Sequence, residues 1–429
     1  MTTSPHPFTI PNFRAYWFAR LASMLALYSM MLILNWQAYN IARETMGIGG
    51  ASARLGLIGL LQFAPLFVLT PLVGWVADRM DRRLVARIVL AGQAGIAALL
   101  AYLTYMDALT LGWIYGLAIL MGIARAFIGP AFGALAPNLV PKESLPTAIA
   151  ISTIAWQAGM LIGPAMAGPL FQIYAPLPYM VSTILYLLSL CAMLMIGEVP
   201  RSIIDKGRGP IAQIADGMKY VWHNKLVLGV ITLDLFAVFL AGSTALIPVF
   251  ARDILQVGAD GLSWMAASPA AGALIIASIF SFRPIRHNVG NKMLGAVFIF
   301  GAATIIFGFS QSLILSMLCL MVAGGADMFS VYVRGSLIQL NTPDDKRGRV
   351  GAVSQLTISA SNELGDAFSG GLAAIIGPVA AVISGGAGAL IITAAWMRVF
   401  PQIGAAKNFN ASQEVLDAEP EHTKTGDKE

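Results

Sequence analysis

The sequence predicts an all-α polytopic membrane protein in which twelve transmembrane helices form two pseudo-symmetric six-helix bundles. Of its 429 residues, 57% are apolar and 11% are charged, whereas a soluble domain carries about 25% charged residues. Apolar runs of about 20 residues, the length that crosses a bilayer, recur along the chain, and an internal repeat relates its halves. This composition excludes a soluble protein. The two cysteines, Cys191 and Cys319, are too few for a disulfide framework or a metal cluster.

Twelve apolar segments have the length of a membrane span. They predict spans at Tyr16–Ile41, Leu55–Ala77, Val85–Tyr105, Leu111–Gly133, Thr147–Phe171, Leu177–Gly197, Leu226–Phe250, Gly261–Phe282, Lys292–Phe309, Leu313–Arg334, Val350–Leu372 and Ala374–Val399. The first span is too long for the apolar core of a cleavable signal sequence.

The segments between and beyond the spans divide the chain into five parts. Residues 1–15 are an N-terminal segment, residues 16–197 and 226–400 are the two bundles, and residues 198–225 are a linker. Ile211, Ile214, Met218 and Val221 recur at helical spacing in the linker and predict an amphipathic helix on the membrane surface. Residues 401–429 are polar and acidic, which predicts a disordered tail.

The basic residues predict the orientation, because Lys and Arg concentrate in cytoplasmic loops. With the N-terminus inside, only Arg43, Arg54 and Arg252 face outward. Arg125 and Arg334 lie within spans, and we assign the other 22 of the 27 basic residues to the cytoplasmic side. We therefore expect a multi-pass protein of the inner (plasma) membrane with both termini in the cytoplasm.

Residues of the first half recur in the second. A shift of 202 positions aligns Gly133 with Gly335, Pro141 with Pro343, Ser152 with Ser354 and Gly163 with Gly365. A shift of 204 positions aligns Pro65 with Pro269, Arg79 with Arg283 and Arg82 with Arg286. Two like-oriented halves predict a substrate site at their interface near mid-membrane, and so favour alternating access over a simple pore.

The loop after the second span contains Gly74, Asp78, Arg79, Arg82 and Arg83. Asp78 can form charge-assisted bonds with the arginines at a helix end. The run resembles the Gly-x-x-x-Asp-Arg-x-x-Arg-Arg signature of the major facilitator superfamily, a resemblance that implies the major facilitator fold and a gate that changes with conformation.

The second copy of this loop departs from the signature. Phe282 replaces the acid, while Arg283 and Arg286 remain. A gate there needs an acid such as Asp344 or Asp345, in a segment that also holds Arg347 and Arg349.

The fifth span carries small residues and a proline at Gly159, Gly163, Pro164 and Gly168. Small faces permit close, sliding helix contacts, although such a stripe also serves plain packing. The stretch resembles the antiporter motif of superfamily exporters, with Ala167 where a glycine is common. The stretch from Asp327 to Asp366 resembles the branch that contains the enterobactin exporter and related drug–proton antiporters.

Six charged residues in spans are candidates for proton coupling, because a desolvated carboxylate can load and release protons. They are Asp234, Glu363, Asp366, Asp327, Arg125 and Arg334. Asp234 and Glu363 are the preferred titrating groups. The alternative is a set of static contacts, such as an Asp327–Arg334 pair or an Arg125 that hydrogen-bonds backbone carbonyls.

Aromatic and amide residues in the non-peripheral spans are candidates for the substrate cavity, and each could instead pack in the core. They are Asn35, Trp36, Gln37, Gln62, Trp156, Gln157, Phe236, Phe239 and Tyr332.

The function expected is proton-coupled export of small amphipathic molecules, either siderophores or drugs, with the lipid bilayer as surroundings. A lipid flippase of the same fold and a non-transporting membrane sensor or assembly protein are the alternatives. The chain contains no nucleotide-binding loop and no catalytic constellation, so we expect a monomer that is not an enzyme and that uses no cofactor, metal or nucleic acid.

Overall fold

The structure is a computed structural model that describes residues 6–197, 210–242, 244–283, 285 and 287–409. Within these ranges, the side chains of residues 71, 74, 75, 77–79, 134, 210–214, 344 and 345 are not described. The described part is helical throughout, as the composition predicts.

Six long helices form the first half of the molecule. They are α1 Pro11–Thr45, α2 Ile48–Arg79, α3 Arg82–Tyr105, α4 Leu111–Leu139, α5 Leu145–Ile173 and α6 Leu177–Leu194. The second half follows the linker helix α7 Pro210–His223, and comprises α8 Lys225–Ala241, α9 Ile247–Val249, α10 Gly258–Phe282, α11 Val289–Phe309, α12 Leu313–Leu340, α13 Asp344–Ile376, α14 Pro378–Val399 and α15 Pro401–Ala405.

The helix pairings of the first half recur in the second, which confirms the predicted pseudo-symmetry. The α1 helix packs on α5 and α6, as α8 packs on α13 and α14. The α2–α4 pair corresponds to α10–α12, and the contacts of α3 with α4 and α6 correspond to those of α11 with α12 and α14. The halves meet through two equivalent pairs, α2 with α13 and α5 with α10.

Eleven helical segments of the described chain are long and apolar enough to cross a membrane. They account for every predicted span except the eleventh, so the count of twelve spans stays a prediction. The segment predicted as Val350–Leu372 does form a helix, α13, but α13 is not among the eleven. It carries Glu363 and Asp366 and many small polar residues.

The seventh predicted span is not one continuous helix. The α8 helix ends at Ala241, and the chain continues through a 3₁₀ turn at Thr244–Leu246, the short α9 and a π-helical turn at Phe250–Ile254. Gly242 and Pro248 mark this interruption, because neither favours a helix interior. Another boundary lies at Gly377, whose φ of 85° suits glycine and separates α13 from α14.

Both predicted non-spanning segments have ordered parts. The α7 helix lies in the linker, whose residues 198–209 are outside the described range. The disordered tail was predicted to start at residue 401, but α15 and the residues up to 409 pack on the second half. Ile403 is fully buried there, and its backbone carbonyl lies against Gly290. The backbone carbonyls of Ala406 and Lys407 accept hydrogen bonds from Gly290 and Val289 at the start of α11. Residues 410–429 lie outside the described range.

Candidate functional site

The two halves contact each other from mid-membrane to one end of the molecule. We call the end at which α1 begins the near end, and the end at which α1 finishes the far end. Every described hydrogen bond, ion pair and close glycine contact between the halves lies at mid-membrane or toward the far end. The described halves are therefore closed against each other at the far end.

Glycines make the contact between α2 and α13 close. A Cβ atom at Gly370 would come within 2.7 Å of the Gly56 Cα atom, and one at Gly56 would come within 2.9 Å of the Ala367 carbonyl. Two turns further along α2 toward the far end, a Cβ atom at Gly49 would meet the backbone of Ala374. Such backbone-to-backbone packing requires small residues.

The equivalent contact between α5 and α10 is held by Gly168. Its backbone N–H donates to the buried Ser263 hydroxyl over 2.6 Å, and a Cβ atom would meet the Ala259 carbonyl. The other small residues of the predicted antiporter stretch, Gly159 and Gly163, pack on α1 inside the first half, and Pro164 is buried. Of this stretch, Gly168 is the residue placed between the halves.

A polar cluster joins the halves at the far end. The Arg43 guanidinium forms an ion pair of 3.1 Å with Asp253, and the Tyr39 hydroxyl donates to the same carboxylate. Arg252 donates to the backbone carbonyl of Asn40 over 3.1 Å. Asp253 and Arg252 lie on the π-helical turn, and a π-turn often occurs at a functional site. We name Tyr39, Arg43 and Asp253 the far-end cluster.

Arg125 and Glu363 meet across the halves at mid-membrane. The Arg125 guanidinium on α4 lies 2.7 Å from the Glu363 carboxylate on α13, and it also donates to the Gln62 side chain over 3.0 Å. The side chains of Arg125 and Glu363 are 28% and 11% exposed. Because the pair lies in the centre of the molecule, this exposure indicates an accessible space beside it.

Trp156 and Tyr28 lie next to this pair. The Trp156 indole donates to the Tyr28 hydroxyl over 2.9 Å, and Tyr28 interacts electrostatically with both Arg125 and Glu363. Trp156 is 42% exposed. An exposed indole beside the central ion pair provides an aromatic surface to a molecule in the same space.

Asp366 has a different setting from Glu363, although it is one helical turn away. Its carboxylate accepts from the Thr244 hydroxyl over 2.9 Å and from the Ala245 backbone over 3.3 Å. It therefore satisfies donors of the broken helix after α8, within the second half.

A second buried ion pair joins α8 and α12. Asp234 pairs with Arg334, and both side chains are less than a tenth exposed. The expected alternative was an Asp327–Arg334 pair seven residues apart on one helix, and the structure corrects it. Both partners lie within the second half, so this pair does not bridge the halves.

The remaining predicted cavity residues have varied positions. Gln37 accepts from Tyr179 within the first half, and Trp36 is buried in its core. Phe236 packs on Trp396, and Tyr332 on Phe280. These four are packing contacts within one half.

The other three predicted cavity residues have no contact with the opposite half among the described hydrogen bonds and ring contacts. Phe239 stacks on Phe368 beside Gly365, Gln157 is half-buried, and the Asn35 Oδ1 atom is buried without a hydrogen bond.

The predicted gate residues lie mostly at the near end. Arg83 donates to the Gly197 carbonyl and to Asp81, and this bond holds the pKa of Asp81 below its ordinary value. Arg82 lines a small cavity with Phe127 of α4, and Arg283 is exposed at the end of α10.

The gate residues of the α12–α13 junction contact neighbouring elements. Arg347 donates to the Gln339 carbonyl over 3.0 Å, and Arg349 pairs with Asp216 of α7. Arg286 and the side chains of Gly74, Asp78, Arg79, Asp344 and Asp345 lie outside the described residues.

The roles of Tyr39, Asp253 and Ser263 were not predicted from the sequence. Asp253 is an acid beside Arg252 in the far-end loop, which is a usable signal for an ion pair. Tyr39 and Ser263 resemble ordinary span residues, and only packing brings them to the opposite half.

Comparison with known proteins agrees with this architecture. Residues 16–365 match the family model described as Major Facilitator Superfamily. The enterobactin exporter EntS of Escherichia coli O1:K1 is 27% identical over 389 residues, which cover 90% of each chain.

Solved structures show the same fold at low identity. A bacterial homologue of the human lysosomal transporter Spinster, in an inward-facing and occupied conformation, has a TM-score of 0.66 and 15% identity, and the match covers 92% of this chain and 95% of that one. The POT family transporter PepTSo has a TM-score of 0.71 and 11% identity over 93% and 99% of the two chains. These are membrane transporters, not enzymes. The chain therefore belongs to the Major Facilitator Superfamily and is a multi-pass membrane transporter.

Proposed function

We propose that the chain is a proton-coupled exporter of small amphipathic molecules that works by alternating access. The observation that carries this proposal is the Arg125–Glu363 ion pair, which connects the halves at mid-membrane and borders accessible space. A charged pair inside a membrane protein is costly, and such groups mark substrate or proton pathways.

The proposed cycle uses the ionisation of Glu363. With the far end closed, Arg125 stabilises the Glu363 carboxylate, so the acid is deprotonated while substrate enters from the near end. When the far end opens, α13 moves away from α4 and Glu363 loses its partner. An unpaired, desolvated carboxylate takes up a proton readily. When the far end closes again, the return of Arg125 displaces the proton to the near side.

The direction follows from the orientation proposed from the basic residues. If both termini are cytoplasmic, the near end is inside, and the cycle carries protons inward and substrate outward. Each proton that moves inward across 100 mV supplies about 2.3 kcal/mol. The chain is then an inner-membrane antiporter that acts as a monomer.

The substrate class is supported by the relatives and by the site. The curated relatives are named enterobactin exporters, so siderophores are candidates together with amphipathic drugs. The exposed Trp156 indole and the Tyr28 phenol beside Arg125 provide an aromatic surface with hydrogen-bonding groups, which suits such molecules.

Inverted membrane vesicles that contain the protein test this proposal. The vesicles are acidified inside, and proton release is followed with a pH-sensitive dye after addition of enterobactin or ethidium. We expect at least one of these probes to release protons in the wild type and neither to do so in Glu363→Gln. The matched control is Glu143→Gln, because Glu143 is an exposed acid between α4 and α5.

A second measurement separates coupling from folding. Exchange of labelled for unlabelled probe without a proton gradient should continue in Glu363→Gln, because the exchange needs substrate binding but no net proton movement. Full substrate-dependent proton release by Glu363→Gln contradicts the assignment of Glu363. If neither probe causes proton release in the wild type, proton-coupled export of these two classes is wrong.

A further inference from the structure

Arg20 is an arginine inside the first helix whose charge has no carboxylate partner. It lies nine residues after the start of α1, about 14 Å along the helix, and within the first predicted span. Arg20 is among the 22 basic residues that we assigned to the cytoplasmic side from the sequence. The structure places it instead between helices α1 and α5.

Two buried hydroxyls hold the Arg20 side chain. One terminal nitrogen, Nη1, donates to the Tyr16 hydroxyl over 2.9 Å and to the Ser152 hydroxyl over 3.1 Å. Tyr16 is fully buried and Ser152 is 4% exposed, and Tyr16 donates in turn to the Phe132 carbonyl of α4. The guanidinium is thus held at the junction of α1, α4 and α5.

The other two nitrogens of Arg20 have no hydrogen-bond partner among the described residues. The Nε atom is buried and unpaired, and no described carboxylate lies within ion-pair distance. By contrast, Arg125 and Arg334 each have a carboxylate. A charge at this depth costs a few kcal/mol unless it is paired, so Arg20 keeps binding capacity for an anion.

The position of Arg20 relative to the central space follows from helix geometry. Ser152, which accepts from Arg20, precedes the exposed Trp156 by one turn on α5. Tyr28, which accepts from Trp156, follows Arg20 by two turns on α1. Arg20 therefore lies on the same α1–α5 seam as the aromatic pair, nearer the near end, about 12 Å along α1 from Tyr28.

We propose that Arg20 is an anion-binding group of the transport pathway, and that preferred substrates carry a carboxylate or similar anion next to an aromatic ring. The anion binds the unbonded Nη2 atom, which is not buried, and the ring lies beside the α1–α5 seam toward the exposed indole of Trp156. This inference rests on the proposed transport function and names the substrate chemistry of its site.

Binding of a matched pair of probes to the purified full-length protein tests the inference. The probes are 1-naphthoate and 1-naphthamide, which share a ring and differ in charge, and their affinities are measured by calorimetry in neutral detergent. We expect the wild type to bind naphthoate more tightly than naphthamide. Arg20→Gln should weaken naphthoate binding by about tenfold or more, the value of a charge-assisted hydrogen bond, and leave naphthamide unchanged.

Three variants and one lipid serve as controls. Arg20→Lys keeps the charge and should retain part of the preference, which shows that the site is folded. Arg14→Gln removes an exposed charge of α1 and should have no effect. Glu143→Gln removes an exposed acid outside the site and should bind naphthoate as the wild type does; because binding is measured without a proton gradient, a failure of proton coupling is distinguishable from a failure of the anion site.

The opposite results overturn the inference. They are equal affinities of the two probes for the wild type, unchanged naphthoate binding in Arg20→Gln, or the same loss in Arg14→Gln. If phosphatidylglycerol abolishes the preference for naphthoate by competition, the anion site belongs to a lipid headgroup, and the substrate assignment is wrong.

Discussion

Glu363 of α13 and Arg125 of α4 form a 2.7 Å ion pair that joins the two halves at mid-membrane. Between this ion pair and the far end, the halves are joined by glycine contacts and by the far-end cluster. Within the first half, Gln62 forms a second hydrogen bond with Arg125. A change in the charge of Glu363 therefore acts on the contact between the two halves.

Loss of both partners should destabilise the protein by less than the sum of the two single losses. Arg125→Gln or Glu363→Gln alone leaves a poorly solvated charge, at a cost of about 1–3 kcal/mol. We expect the thermal midpoint of the double variant to fall by less than the sum of the decreases in the two single variants. The check is a thermal melt of the purified protein, and additive losses would show that the two groups do not interact.

Breaking the Asp234–Arg334 pair should reduce stability rather than coupling. Asp234→Asn leaves Arg334 buried without a counter-charge, which costs about 3–5 kcal/mol. The double variant Asp234→Leu/Arg334→Met should recover much of that loss in the same melt. An Asp234→Asn protein that is fully stable but releases no protons would instead make Asp234 a coupling group.

A larger residue at Gly370 should prevent closure of the far end. Gly370→Leu has no room against Gly56, so we expect transport to fall to background while the protein still folds. The neighbouring Gly371→Leu is the control, because nothing lies within 4 Å of its Cβ position. Probe efflux from cells measures both variants. Equal activity of the two would show that the α2–α13 contact is not needed for transport.

Weakening the far-end cluster should open the far end more often. Asp253→Asn removes the ion pair with Arg43, and Asp107→Asn in the α3–α4 loop is the control. The reporter is Ser52→Cys, a fully buried position on α2, in a protein in which both native cysteines are replaced by serine. We expect a several-fold faster reaction with an impermeant maleimide in Asp253→Asn. An unchanged rate would mean that glycine packing alone closes this end.

Hydropathy and the repeat were enough to predict the helices and their pseudo-symmetry. Span length is set by bilayer thickness, so the predicted spans agree with the helices to within a few residues for most of the chain. The α8 segment shows the limit, because its apolar composition conceals the interruption at Gly242 and Pro248.

The candidate site could be predicted residue by residue, but its pairings could not. The cost of a charge in a membrane identifies Arg125, Glu363 and Asp234 separately. No spacing rule relates Arg125 to Glu363, which is 238 residues away. Asp327 and Arg334 lie on one face of the same helix, so their spacing favoured an ion pair between them. In the structure, tertiary packing instead brings Asp234 of α8 to Arg334.

Distance measurements between the halves test whether the charge of Glu363 controls the opening of the far end. Spin labels at Ala108→Cys and Gln311→Cys, exposed residues of far-end loops in the first and second halves, report the far-end separation by pulsed electron resonance. We expect one short distance between the labels at high pH, and a population with a longer distance that grows as the pH falls. Glu363→Gln should show the population with the longer distance at every pH. A single distance that does not change with pH or with this substitution would contradict control of alternating access by Glu363.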